Sequence, residues 1–169
     1  MEIYFAAGCF WGVQKLFSQI EGVTFTSCGY VNGKEDIIPD YQRVCKGDTD
    51  YKECVHVVYD DTKISLAKLL SVFFYVIDPS QADGQGHDIG SQYHTGIYYT
   101  NEKDHLIILN YIETIRSSYS SFYTEVLPLS NFYDAEDYHQ DYLVKNPNGY
   151  CHIPSIKYEE VKELVCTKS

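Results

Sequence analysis

The stretch Gly-Cys-Phe-Trp-Gly at residues 8–12 constrains the fold of this chain more than any other segment, because it joins a strand pattern to a helix pattern. Residues 3–7 predict a short buried strand, and the apolar residues after position 12 recur at the spacing of an amphipathic helix. Cys9 is therefore expected at a strand-to-helix turn, where free N–H groups and the helix dipole favour the thiolate. The two glycines allow a tight turn and leave room beside the sulfur. The alternative is a buried cysteine that packs as a small hydrophobic residue.

The composition is that of an ordinary globular protein. The 169 residues, 44% of them hydrophobic, suit one domain over residues 1–169 with a sizeable core. A net charge of −11 argues against binding to nucleic acid or to an anionic membrane, because their phosphates would repel the protein. The sequence has no apolar run as long as a membrane span and no basic region typical of a signal peptide. We therefore expect a cytoplasmic protein.

The cysteines do not form the pattern of a disulfide framework or a structural zinc site. They are Cys9, Cys28, Cys45, Cys54, Cys151 and Cys166. The closest two are nine residues apart, and thiols in the cytosol are kept reduced. Transient redox chemistry and plain burial remain as explanations. We expect Cys28, Cys45 and Cys54 to be packed residues, with Cys54 facing away from its neighbour Glu53 because side chains alternate along a strand.

The first 99 residues predict the element order β-α-β-β-α-β, which is the split βαβ pattern of a ferredoxin-like two-layer sandwich. The predicted strands are residues 2–7, 23–28, 53–59, 95–99 and 124–127, and the predicted helical segments are 10–20, 65–77, 102–119, 136–143 and 155–165. The expected fold class is therefore α+β, with a core at about residues 1–127 and helical and coil additions at about 128–169. In the split pattern the first strand pairs with the third, which brings Glu53 near Cys9.

Two long polar loops are predicted at residues 29–52 and 78–93, and long loops inside a compact domain are usually functional. Tyr41 lies in the first loop, and Asp88 and Tyr93 lie in the second. Each also has a plainer interpretation, as an exposed tyrosine or as part of a surface turn. Glu53, taken alone, is better explained as a carboxylate in solvent at the start of a strand.

Five segments, in order along the chain, resemble the methionine sulfoxide reductase A family. They are Gly-Cys-Phe-Trp-Gly at 8–12, Tyr-Gln-Arg-Val-Cys-Lys-Gly-Asp-Thr at 41–49, Gly-His-Asp-Ile-Gly-Ser-Gln-Tyr at 86–93, Phe-Tyr-Asp-Ala-Glu-Asp-Tyr-His-Gln at 132–140 and Gly-Tyr-Cys at 149–151. The resemblance implies reduction of methionine S-sulfoxide, free or in proteins, to methionine. It also implies that Cys9 attacks the sulfoxide sulfur and that Glu53 donates a proton to the leaving oxygen. An apolar site would raise the pKa of Glu53 through desolvation and keep it protonated.

The same resemblance assigns the residues around the reacting atoms. Tyr41 and Tyr93 hydrogen-bond the sulfoxide oxygen, and Asp88 orders the polar side of the site. Phe10 and Trp11 hold the S-methyl group. The resemblance implies no metal and no organic cofactor.

The resemblance implies that Cys151 resolves the Cys9 sulfenic acid. It also implies that a thioredoxin-like dithiol reduces the resulting disulfide. Cys166 is a candidate for a second recycling cysteine. The sequence departs from the family where His152-Ile153-Pro154 replaces a glycine run, and at His94, where an arginine is common. We expect a monomer.

Two other classes of function use the same nucleophile. A cysteine hydrolase or acyl transferase would pair Cys9 with His87, His94 or His139 and needs no second cysteine. A redox-sensing or metal-binding module would use several cysteines and would not catalyse a reaction. His56 and His139 are otherwise expected to make structural hydrogen bonds.

Overall fold

The computed structural model describes residues 1–167, in which strands and helices alternate along an α+β chain. The strands are β1 (Glu2–Ala6), β2 (Val23–Val31), β3 (Lys52–Tyr59), β4 (Gly84–Gln85), β5 (Asp88–Ile89), β6 (Gly96–Tyr99), β7 (Glu125–Pro128) and β8 (Phe132–Asp134). The α-helices are α1 (Phe10–Ser18), α2 (Tyr41–Cys45), α3 (Leu66–Val76), α4 (Glu102–Ile115), α5 (Tyr142–Lys145) and α6 (Ser155–Cys166). Within this range, no helix has the length and apolar character needed to cross a bilayer.

The main sheet is mixed and has the strand order β7-β6-β1-β3-β2-β8. Only β6 and β7 run parallel to each other; the other neighbouring strands of this sheet are antiparallel. The predicted α+β class is confirmed, and so is the pairing of β1 with β3, in which Phe5 lies opposite Val55. This register brings the end of β1, which leads to Cys9, to the start of β3, which carries Glu53.

Helices α1 and α3 cover one face of the sheet and form the main core with it. Phe5 of β1 stacks between Phe17 of α1 and Phe73 of α3, with ring centroids 4.8 and 5.0 Å away. Each of these rings is fully buried, which contributes on the order of 1.5–3 kcal/mol per side chain. This packing fixes the direction of α1, and with it the position of the turn at Cys9.

A smaller apolar cluster lies apart from the main core and includes Tyr4, Ala6 and Cys54. Val55 belongs to the main core, so Cys54 and its neighbour point to opposite faces of β3. Cys28 and Cys54 are buried, as predicted. Cys45 is exposed at the end of α2, and its predicted packing is wrong.

The predicted loop at residues 29–52 is wrong over two segments. Strand β2 continues to Val31 because its last residues pair with both β3 and β8, a contact that no local pattern contains. Helix α2 begins after Asp40, whose side chain accepts a hydrogen bond from the Arg43 N–H at 2.8 Å and so caps the helix.

Other boundaries also differ from the predictions. The helix predicted at 102–119 ends at Ile115 and continues as a 3-10 turn. The helical segment predicted at 136–143 divides into a 3-10 turn (Asp137–His139) and α5, and the preceding strand β8 was not predicted. Strand β8 pairs with the edge of β2, so long-range pairing decides its conformation. Ser65 caps α3, its side chain accepting a hydrogen bond from the Lys68 N–H at 3.1 Å.

Candidate active site

Cys9 occupies the N-cap position of α1, directly after Gly8, whose φ of +84° makes the tight turn out of β1. The predicted strand-to-helix turn is therefore confirmed. The side chain is only 8% exposed, and burial is the largest cause that raises the pKa of its thiol. The charge of Glu53 raises this pKa further, and the Trp11 N–H at the helix start lowers it. The expectation that the helix N-terminus makes Cys9 a resting thiolate is wrong, because desolvation outweighs it.

Glu53, the second residue of β3, lies beside the start of α1 and is 2% exposed. Its Oε1 accepts a hydrogen bond from the Phe10 N–H at 3.2 Å. Burial raises the pKa of Glu53 to about 8, Asp88 adds to the rise and the Phe10 N–H opposes it. The carboxyl is therefore mostly protonated at pH 7, in the direction that desolvation predicts, and the interpretation of Glu53 as a carboxylate in solvent is wrong.

Tyr41 and Tyr93 converge on the same place from α2 and from the 3-10 turn Ser91–Tyr93. Burial raises the pKa of the Tyr93 hydroxyl, and the charges that raise it further belong to Glu53, Tyr41 and Cys9 in that order. Burial is also the largest cause of the raised pKa of Tyr41, to which Glu53 and Cys9 contribute. Two neutral hydroxyl donors therefore lie near the thiol and the carboxylic acid.

An aromatic cluster forms the wall beside these groups. Trp11 stacks on Tyr142 with ring centroids 3.8 Å apart, and its Nε1–H donates to His139 Nδ1 at 3.0 Å. The His139 ring also packs against Phe10, which is 1% exposed, and against Tyr41, at centroid distances of 5.1 and 4.5 Å. The predicted hydrogen-bonding role of His139 is confirmed. Its fixed position against Trp11 was not predicted, since it depends on residues 128 positions apart.

Asp88 on β5 faces the segment that follows α5. Its Oδ1 accepts a hydrogen bond from the Tyr150 hydroxyl at 3.0 Å. Its Oδ2 lies 3.9 Å from His152 Nδ1, and both atoms are buried without a hydrogen-bond partner. His152 Nε2–H donates to the Ala7 carbonyl at 2.8 Å. The sequence marked position 152 only as a departure from the family pattern and gave no signal for these contacts.

Cys151 lies against the first turn of α1. Its Sγ is 3.1 Å from the Tyr158 hydroxyl, which donates to the Gly12 carbonyl at 2.9 Å. A Cβ added at Gly12 would lie 2.8 Å from Cys151 Sγ, so this glycine makes the contact possible. Gly12 follows Cys9 by three residues and shares its side of the helix. Tyr158, on α6, is a further residue that the sequence analysis missed.

Cys166 is not brought to this site. It is exposed at the end of α6 and lines a cavity of about 370 Å³ with Ile20 and Glu21, which follow α1. Gln19 also lines this cavity and follows Cys9 by ten positions. Ten positions correspond to about 15 Å along a helix, so the cavity lies away from Cys9.

The structure gives the two alternative functions no support. Within residues 1–167, no histidine is hydrogen-bonded to the Cys9 thiol, and no group of three or more His, Cys, Asp or Glu side chains is placed to hold a metal ion. His139 uses its Nδ1 to hold Trp11.

Comparison with known proteins gives one consistent family. The family model described as peptide methionine sulfoxide reductase matches residues 1–168. A relative from Clostridium acetobutylicum, named peptide methionine sulfoxide reductase MsrA, is 49% identical over 154 residues, which are 90% of this chain and 94% of the relative. The crystal structure of Mxr1 from Saccharomyces cerevisiae in reduced form has a TM-score of 0.85 and 36% identity, covering 89% of this chain and 88% of Mxr1. Mxr1 in complex with Trx2 has the same fold, with a TM-score of 0.60, 23% identity and 84% of each chain covered. The chain therefore belongs to the peptide methionine sulfoxide reductase family.

Proposed function

We propose that this oxidoreductase, which reduces methionine sulfoxide to methionine, acts on the S epimer with Cys9 as its nucleophile and Glu53 as its proton donor. The observation that carries this assignment is the pairing of a buried thiol with a buried carboxylic acid whose pKa is raised to about 8. A carboxylic acid held neutral at pH 7 is a competent general acid, and such assistance supplies about 10²–10⁴-fold in rate.

The chemical step transfers one oxygen atom. Cys9 sulfur attacks the sulfoxide sulfur and forms an S–S bond with it, and Glu53 protonates the sulfoxide oxygen. The oxygen then passes as a hydroxyl group to the Cys9 sulfur, as the S–O bond of the substrate and the S–S bond both break. Cys9 is oxidised by two electrons to a sulfenic acid, the substrate sulfur is reduced to the thioether, and the proton of the Cys9 thiol replaces the one that Glu53 gave. Methionine and Cys9–SOH are the products, and no net proton is consumed.

The neighbouring side chains orient the substrate. The hydroxyls of Tyr41 and Tyr93 donate to the sulfoxide oxygen as negative charge grows on it, and Asp88 orders the polar side of the site. Phe10 and Trp11 enclose the S-methyl group. His139 keeps Trp11 in place through the Nε1–H to Nδ1 hydrogen bond.

Cys151 resolves the sulfenic acid, and a thioredoxin-like dithiol reduces the resulting disulfide. The position of Cys151 against Gly12, three residues from Cys9, supports this role. Cys166 is separated from Cys151 by the length of α6, about 18 Å for its twelve residues, so a transfer of the disulfide to Cys166 requires α6 to open.

Several finer features belong to the same proposal. Residues 1–169 form one catalytic domain, a monomer, whose central strands β6-β1-β3-β2 follow the ferredoxin-like βαββαβ order. The six cysteines are free thiols, which suits the cytoplasm. The reaction needs no metal or organic cofactor, because the thiols supply both electrons.

A single-turnover assay tests the function. Reduced enzyme is expected to form one equivalent of methionine from the S epimer and none from the R epimer, and to end with a Cys9–Cys151 disulfide. Cys9→Ser should form no methionine, whereas the matched variant Cys166→Ser, at a thiol outside the site, should give the full equivalent in this first turnover. Turnover of the R epimer instead, or full activity of Cys9→Ser, would contradict the assignment.

A further inference from the structure

The residues on either side of Cys9 receive two consecutive residues of the C-terminal segment. Cys151 Sγ would lie 2.8 Å from a Cβ added at Gly12, and His152 Nε2 would lie 3.0 Å from a Cβ added at Gly8. The two glycines of the Gly-Cys-Phe-Trp-Gly stretch are therefore contact points for the segment that carries the resolving thiol. Because these contacts lie on both sides of Cys9, docking of this segment holds Cys151 beside the nucleophile.

Two residues that flank Cys151 reach the same carboxylate. The Tyr150 hydroxyl donates to Asp88 Oδ1 at 3.0 Å, and His152 Nδ1 faces Asp88 Oδ2 at 3.9 Å. The second ring nitrogen of His152 donates to the Ala7 carbonyl, and its side chain is 6% exposed. This imidazole thus connects the turn after β1, strand β5 and the C-terminal segment.

His152 Nδ1 and Asp88 Oδ2 face each other, and neither atom carries a hydrogen that it could donate to the other. Because His152 Nε2 carries the hydrogen given to Ala7, Nδ1 of the neutral ring is an acceptor, and so is the carboxylate oxygen. Among the described residues both atoms are buried without a hydrogen-bond partner, and at 3.9 Å they are too far apart to bond each other. A proton added to Nδ1 would attract the Asp88 carboxylate, which accepts a hydrogen bond from it once the two atoms approach.

We infer that His152 is a positioning residue for the second half of the reaction: it holds Cys151 docked beside Cys9 through Ala7, Gly8 and Asp88. The inference rests on the proposed function and concerns the step after methionine is formed. In that step Cys151 Sγ attacks the Cys9 sulfenic sulfur, the S–S bond forms and the S–O bond breaks. The hydroxide leaves as water with the Cys151 thiol proton, so the sulfenic sulfur is reduced and the Cys151 sulfur is oxidised.

The position of Cys151 matters because a disulfide forms only within a narrow range of distances and torsion angles. Its Cβ atoms lie about 3.5–4.5 Å apart with a narrow range of torsion, so an undocked thiol on a coil segment rarely adopts the reactive geometry. The segment before Cys151 contains the turn residues 146–149, Asn-Pro-Asn-Gly, which do not fix its position by themselves.

The proton-dependent part of the contact has a defined set of neighbours. Among the described residues, Asp88 from β5 is the charged group that raises the pKa of the His152 ring. The Ala7 carbonyl, in the turn after β1, accepts a hydrogen bond from the ring. Tyr150 affects the ring only through its hydrogen bond to Asp88. Burial lowers the pKa of His152, while the Ala7 carbonyl and Asp88 raise it. The contact with Asp88 therefore strengthens as the pH falls below the ordinary range of histidine titration.

The test separates the two half-reactions in a rapid-quench single turnover with methionine S-sulfoxide. We expect His152→Ala to form methionine within about twofold of the parent rate, to form the Cys9–Cys151 disulfide about tenfold more slowly, and to accumulate Cys9 sulfenic acid that dimedone traps. His152→Gln keeps an amide donor for Ala7 but cannot share a proton with Asp88. Its disulfide rate should match the parent at pH 8 and fall about tenfold below it at pH 5.

The matched control is His105→Gln on α4, a half-buried ring that hydrogen-bonds Glu102 and stacks on Tyr99. It should leave both rates unchanged at both pH values. A parent rate of disulfide formation in His152→Ala, or a His152→Gln deficit that is equal at pH 5 and pH 8, would overturn the positioning role. If the parent itself forms no methionine, the proposed function fails instead, and this result is separate because methionine is measured before the disulfide.

Discussion

The replacement of Glu53 by glutamine is the sharpest test of the site, because it preserves size and the acceptor for the Phe10 N–H while removing the acidic proton. With its pKa raised to about 8, about 90% of the Glu53 carboxyls carry a proton at pH 7 and about 10% at pH 9. The rate of methionine formation at a fixed thiolate fraction should therefore fall about tenfold between these two pH values in the parent.

Glu53→Gln should lower the single-turnover rate of methionine formation by about 10²–10⁴-fold at pH 7, since an amide donates no acidic proton. It should also lack the decline above pH 8. Rapid-quench measurement of methionine between pH 6 and 9.5 gives both quantities. Glu113→Gln, at an exposed position of α4, is the matched control and should keep the parent profile. A Glu53→Gln rate equal to that of the parent at pH 7 would show that the proton comes from another group.

The same substitution has an opposite effect on stability. The pKa of Glu53 is raised from 4.5 to about 8 in the folded chain, so the stability associated with its neutral form is complete below pH 4.5 and is lost as the pH rises through 8. Glutamine has no such loss. Between pH 5 and pH 8 the unfolding free energy of the parent should therefore fall by about 3–4 kcal/mol relative to that of Glu53→Gln. Urea unfolding of both proteins at the two pH values measures this difference. An equal difference at both pH values would mean that the buried carboxyl does not resist ionisation.

Four further substitutions address the rest of the cycle. Cys151→Ser should form one equivalent of methionine at the parent rate and then stall with thioredoxin, with Cys9 sulfenic acid visible by mass spectrometry; continued turnover would remove Cys151 from its role. Gly12→Ala should slow disulfide formation several-fold, because its Cβ would lie 2.8 Å from Cys151 Sγ, while methionine formation stays at the parent rate. Tyr41→Phe and Tyr93→Phe should each lower the rate of methionine formation by about tenfold, measured in the same single-turnover assay, and unchanged rates in both would exclude them as donors to the sulfoxide oxygen.

Sequence reasoning located the thiol and the acid because both depend on short-range patterns and one simple pairing rule. The strand-helix pattern around residues 8–12 fixes the turn at Cys9, and the antiparallel pairing of β1 with β3 follows from the element order. These two facts place Glu53 near Cys9 before any side-chain geometry is known. The burial of Glu53 did not follow from this placement, because a residue at the start of a strand can equally face solvent.

The contacts that the sequence did not reveal are those made across long separations. Strand β8 forms because Phe132–Asp134 finds the edge of β2, about a hundred positions earlier, and His152 and Tyr158 reach Ala7 and Gly12 across more than 140 positions. No local propensity encodes such partners. The resting state of Cys9 was also predicted in the wrong direction, because the helix dipole is visible in the sequence and the extent of desolvation is not.

The raised pKa values of Cys9 and Glu53 favour a neutral thiol and a neutral carboxylic acid in the site. Such a pair suits an uncharged substrate better than a permanently ionised Cys9 would. A buried thiolate next to an ionised carboxylate would carry two like charges in a dry site, and burial disfavours each of them. A sulfoxide brings no net charge but has a polar S–O bond, with positive character on sulfur and negative character on oxygen. Its binding favours thiolate character on Cys9 and a proton on its oxygen together, which is the change that the pair of neutral acids can supply. The site therefore keeps both protons until the substrate that needs their movement is in place.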